Sequence, residues 1–139
     1  MMSEKIKTKK VEQSRYSNYF KKADSFHKAA GGCLKELNYE AAALASIHCV
    51  ISAIDAFLVF KLGVRSSSER HSDVLKLLAE ACGADSKQAI KHADAVLNEK
   101  TVVEYLDVLV TEKQVLELYK HADRFFCWVK ERIPRGNRS

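Results

Sequence analysis

The residues most able to do chemistry lie in one stretch, Gly63-Val64-Arg65-Ser66-Ser67-Ser68-Glu69-Arg70-His71. An arginine and a histidine stand six positions apart across an expected helix start. Arginine can hold a phosphate through two parallel hydrogen bonds, and histidine can move a proton near neutral pH. The first turn of a helix adds free backbone N–H groups that favour an anion. Together these groups suit cleavage of RNA without a metal. His71 would help a ribose 2′-hydroxyl attack the adjacent phosphate, and Arg65 would stabilise the charge developing on the phosphoryl oxygens. The plainer alternative is a packed, hydrogen-bonded histidine and an arginine paired with a carboxylate. Asp55 is such a carboxylate. It sits on an otherwise apolar stretch and needs a partner if buried; Arg65, His71, Lys100 and Tyr105 are the candidates. Ser66, next to Arg65, belongs with the supporting residues. Lys100, Glu104 and Tyr105 share a spacing that could line a cleft, although Lys100 and Glu104 also fit a routine i, i+4 surface pair.

Helices must position these groups. Tyr16, Tyr19, Phe20, Ala23, Phe26, Ala30, Cys33 and Leu37 recur at three- and four-residue steps, predicting a helix over Ser14 to Leu37. Gly31-Gly32 falls within it and predicts a close contact with another helix. Asn38 is placed to cap a second helix, Tyr39 to Leu62, and Gly63 to end it. That helix is apolar nearly all round, so others must surround it. A shorter third helix is expected from Ser67 or Ser68 to Gly83, with His71 facing inward beside Val74, Leu75 and Leu78. A fourth starts at Asp85 or Ser86 and runs through Leu97; the β-branched Thr101-Val102-Val103 marks a kink beyond it. Thr111-Glu112-Lys113-Gln114 is a capping box for the last helix, which Pro134 and Gly136 end. His48 reads as a satisfied core histidine, His27, His92 and His121 as solvated, and Trp128 as the edge of an apolar stripe. The architecture expected is all-α: an antiparallel up-and-down bundle of four long helices plus one short one, spanning 14–134, with basic tails at 1–13 and 135–139.

Composition narrows the function classes. Hydrophobic residues make up 47% of the 139 and charged residues 29%, too apolar for a disordered chain, while five glycines and one proline are too few for a β-rich one. Net charge is +5, yet residues 1–22 carry seven basic and two acidic side chains and residues 130–139 four and one, leaving a body of about −3. Charge alone is therefore weak evidence for RNA. With alternating helices, the basic ends would meet at the pole that carries Arg65, giving an acidic body a positive rim. The N-terminus has no apolar signal core, and His48 and Asp55 argue against a membrane span at 41–62, so a cytoplasmic protein without membrane association is expected. Cys33, Cys49, Cys82 and Cys127 stand singly, without metal-ligand spacing, and neither metal nor cofactor is expected.

Long helices around an apolar second helix, followed by an Arg-x5-His segment, resemble the HEPN superfamily. The matching details are Ile47-His48 with Ala53-Ile54-Asp55-Ala56-Phe57, Gly63-Val64-Arg65-Ser66 with His71, Lys100 with Val103-Glu104-Tyr105, and Ala122-Asp123-Arg124-Phe125-Phe126. They look like those of small prokaryotic members and cover nearly everything after residue 14. The resemblance implies a metal-independent endoribonuclease, often a toxin restrained by an antitoxin or nucleotidyltransferase-like partner, with Arg65 and His71 catalytic. It also implies a homodimer whose two Arg–His segments face each other. Many members are non-catalytic and dock a partner protein, RNA or a nucleotide instead. Two positions depart from the active pattern. Ser66 stands where active members place Asn, Asp or His, and Asp73 stands where nucleotide-modified members carry a tyrosine.

Overall fold

The computed structural model describes residues 6–83 and 86–134. The chain runs through a strand β1 (Thr8–Lys10), a single 3-10 turn (Gln13–Arg15), α1 (Tyr16–Lys35), α2 (Tyr39–Leu62), β2 (Val64–Ser66), α3 (His71–Cys82), α4 (Lys87–Leu97), α5 (Lys100–Tyr105) and α6 (Glu112–Arg132). The fold class is all-α, as the periodicity predicts.

α2 begins and ends where its cap residues place it. The Asn38 side chain accepts the N–H of Ala41, and Gly63 closes the helix in the left-handed region at φ 67°. The middle of α2, from Ala42 to Val59, is buried almost without interruption. Among the described residues it is the one helix long and apolar enough to cross a membrane, but here the bundle encloses it. Burying Phe57, Ile54, Leu58 and Val50 against Phe125, Phe126 and Val129 of α6 supplies the core, at about 1.5–3 kcal/mol for each large side chain removed from water.

Helix directions follow from the cross-contacts. Tyr16 packs edge-on against Phe60, its rings 5.2 Å away, so α1 and α2 are antiparallel. Phe57 meets Trp128 at 5.1 Å near the ends of both helices, so α2 and α6 run parallel. The Tyr16 hydroxyl donates to the carbonyl of Pro134 at 3.5 Å, placing the end of α6 beside the start of α1. The expected alternation of the first, second, fourth and last helices holds. The fourth is not a long helix, however. It breaks at Asn98-Glu99 into α4 and α5, whereas the β-branched run at 101–103, where the kink is expected, is itself helical within α5. The capping box at Thr111 is complete in both directions.

Three expectations are corrected. Residues 8–10 are not a separate tail: β1 pairs antiparallel with β2, Thr8 opposite Ser66, Lys9 opposite Arg65 and Lys10 opposite Val64. The histidines read as solvated are half-buried and partnered across helices. His27 Nε2 lies 2.6 Å from Asp123 Oδ1, and the Nδ1 atoms of His92 and His121 lie 2.9 Å apart. Burial, then His121 and the cations Arg124 and Lys120, lower the His92 pKa. At Gly31 a Cβ would sit 3.4 Å from the Tyr119 hydroxyl, the close contact expected, but at Gly32 it would meet nothing. The expected tail at 135–139 and the Asp85 helix start lie outside the described residues.

Candidate functional site

β2 folds back along α2 from the Gly63 turn, which carries Arg65 over the C-terminal third of that helix. There Arg65 Nη2 lies 3.3 Å from Asp55 Oδ2, which settles the partner of the buried carboxylate. The guanidinium also lies over the Tyr19 ring of α1, 5.5 Å from its centroid. Its Nε is buried and unpartnered, while 38% of the side chain remains accessible. The arginine is thus fixed on two sides and open on another, a geometry suited to a second anion. Nothing in the sequence marks Tyr19 beyond its place in the α1 stripe.

Desolvation raises the Asp55 pKa, against the opposing pull of Arg65 and then Lys22. A carboxyl raised by folding binds its proton more tightly in the folded state, so its contribution to stability declines as pH rises through that value. Asp55→Asn should therefore raise the melting temperature at about pH 7.5 and lose that advantage near pH ~4, where an unfolded aspartate also protonates. Arg65 is exposed enough to hydrate once released. Paired thermal melts at the two pH values check the expectation.

The loop after β2 is held by serines. Ser66 Oγ accepts the N–H of Ser68 at 3.1 Å, and Ser68 Oγ accepts the N–H of Arg70 at 3.1 Å while donating to Asp73 Oδ2 at 2.8 Å. α3 consequently begins at His71 rather than at Ser67 or Ser68. His71 is exposed, not turned into the core as its row predicted. A helical side chain leans toward the N-terminus, so at the first position it projects beyond the helix end. Asp73 adds a negative charge to that first turn, which weakens the helix start itself as an anion seat.

Arg65, Asp55, Ser66, His71, Lys100 and Tyr105 nevertheless line one cleft of about 540 Å³, with Ile51, Ile54, Val74 and Leu97 as its apolar wall. Glu104 stands behind it. Its Oε2 holds Lys100 Nζ at 3.2 Å, its Oε1 lies 3.4 Å from His48 Nε2, and Lys100 in turn sits 5.6 Å from the Tyr105 centroid. His48 is therefore an element of the site's frame and not a core histidine. Among the described residues no cluster of three or more His, Cys, Asp or Glu could hold a metal. The cleft can hold an anion at Arg65 and present an imidazole to it.

The sequence model of the HEPN domain family matches residues 16–132. No curated protein matches the chain. The matched span takes in every helix and the whole of the Arg65–His71 segment, and the chain belongs to the HEPN domain family.

Proposed function

We propose that this HEPN domain is an RNA-directed, metal-independent endoribonuclease, with Arg65 as phosphate clamp and His71 as proton-transfer group. The observation that carries the reading is the opening of Arg65 and His71 onto one cleft, the first anchored by Asp55 and Tyr19, the second free of any hydrogen bond among the described residues. A ribose 2′-oxygen attacks the adjacent phosphorus, giving up its proton. The P–O5′ bond breaks, the 5′-oxygen takes a proton, and a 2′,3′-cyclic phosphate and a 5′-hydroxyl result. Arg65 faces the charge on the non-bridging oxygens. Its fork matches a phosphate while one nitrogen stays on Asp55.

Charge near the cleft supports a nucleic-acid ligand. Pairing of β1 with β2 aligns exposed Lys9 with Arg65 and brings Lys7 and Lys10 alongside. Affinity for RNA should fall steeply with salt. His71 of one chain supplies one proton-transfer group, whereas the reaction uses an acid and a base. A homodimer with two facing segments provides both, and a purely monomeric mass by light scattering at micromolar concentration contradicts that arrangement. A non-catalytic RNA- or partner-docking domain is the second reading, favoured by Ser66 beside the arginine and by the Asp55 pairing that offsets its charge. Incubation with mixed RNA in EDTA separates the two. Fragmentation by wild type, absent from an Arg65→Ala/His71→Ala double variant, is expected; intact RNA leaves the docking reading.

A further inference from the structure

A second groove opens on the other side of the Arg65–Asp55 pair. Its volume is about 440 Å³, and it runs between α1 and α2. Tyr19, Lys22 and Phe26 follow one another at three- and four-residue steps and share a face of α1. Across from them, in the antiparallel direction, Asp55, Ser52 and His48 form the facing row of α2. The Phe26 and His48 rings meet at 5.4 Å with a 34° tilt, making one aromatic wall. Tyr19, beneath the guanidinium of Arg65, closes the other end. Helix rise sets Tyr19 and Phe26 about 10 Å apart along α1. Lys22 is exposed between them and has no ion pair among the described residues. Asp55, already held by Arg65, supplies the only carboxylate of the lining. The groove therefore offers rings for a flat base, an exposed cation for a phosphate, and the Ser25 and Ser52 hydroxyls for polar edges. Those are the components of a stacking subsite on a basic track.

We infer that the α1–α2 groove is a nucleotide subsite: it takes one base flanking the phosphate held at Arg65, stacked against the Phe26–His48 wall, with Lys22 on the next phosphate. This rests on the reading of Arg65 as a phosphate clamp. The bound strand then crosses the Arg65–Asp55 pair, with one nucleotide in this groove and the reacting ribose in the His71 cleft.

The test uses the full-length protein and fluorescein-labelled five-nucleotide DNA oligomers, which lack the 2′-hydroxyl and so remain intact. Anisotropy is read for oligomers carrying an abasic site at each position in turn. Phe26→Leu keeps an apolar side chain for the core, and its fold is checked by circular dichroism. In wild type, one abasic position should weaken binding about tenfold, and Phe26→Leu should weaken the intact oligomer by about the same factor. Combining them should add little, because both remove one stacking contact. Phe26→Trp should restore binding, a result that a merely structural role for the ring does not give. Lys22→Ala should weaken every oligomer and lower the salt dependence by about one phosphate contact. If Phe26→Leu and Lys22→Ala bind like wild type while Arg65→Ala loses affinity, the groove is not a subsite and the clamp stands. If Arg65→Ala binds like wild type, the clamp itself is wrong and the subsite falls with it.

Discussion

His71→Ala should reduce RNA cleavage by about 10²–10⁴-fold, the usual contribution of a positioned acid or base, while leaving the helical circular dichroism and melting temperature unchanged. The two halves of that expectation come from the same fact. His71 is the first residue of α3, exposed, with no hydrogen bond or ion pair among the described residues, so its removal empties no core position and orphans no partner. Surface substitutions of that kind usually fall within about 0.5 kcal/mol. A side chain that does nothing for the fold and faces the cleft holding Arg65 is well suited to a purely functional role. Initial rates on a defined RNA, measured beside thermal melts, check both halves. Cleavage within a fewfold of wild type would remove the histidine from the mechanism.

Arg65→Lys should reduce the cleavage rate by about 10²–10³-fold, as for loss of a donor aimed at developing negative charge, even though the formal charge is kept. The guanidinium here has several tasks at once. It bonds Asp55 through Nη2, lies over the Tyr19 ring and keeps further N–H groups for a phosphate. An ammonium is a compact point charge on a flexible stem and cannot stay on the carboxylate while forking onto two phosphoryl oxygens. Lysine should therefore settle on Asp55 and leave the incoming phosphate without a clamp. The loss should appear in turnover at saturating RNA as well as in affinity. A lysine variant within threefold of wild type would mean that Arg65 supplies only bulk charge.

How much of this was legible in the sequence depended on whether the signal was local. α2 could be read to its terminal residues because Asn38 caps one end and Gly63 turns the other, and both act within four positions of the helix. Thr111 and Gln114 marked α6 for the same reason. The β1–β2 ribbon could not be read: Thr8-Lys9-Lys10 and Val64-Arg65-Ser66 are three-residue strands without apolar alternation, held by backbone pairing across more than fifty residues. Arg65 and Asp55 were candidates as a pair, but their meeting required β2 to fold back over α2. His71 lies in the helix that its row predicts but in solvent instead of the core. Its row leads to Val74 and Leu78, yet the helix starts at His71 itself, with no earlier turn to cover it. Tyr19 and Lys22 gave no warning, since a ring and a cation on an amphipathic helix ordinarily signify core and solvent. The histidine partners were hidden by distance: His27 meets Asp123 from 96 positions away.

The measurement that reaches the central claim most directly uses one RNA oligomer with a single mapped cleavage position, in EDTA, and its twin carrying a 2′-deoxy substitution at the nucleotide that would attack. The mechanism needs that oxygen as nucleophile. The all-ribose oligomer should yield fragments ending in 2′,3′-cyclic phosphate and 5′-hydroxyl by mass spectrometry, and the 2′-deoxy twin should remain intact at that position. Cleavage of the twin at the same bond, or fragmentation that stops on adding EDTA, would contradict a cleft in which Arg65 and His71 drive internal attack without a metal.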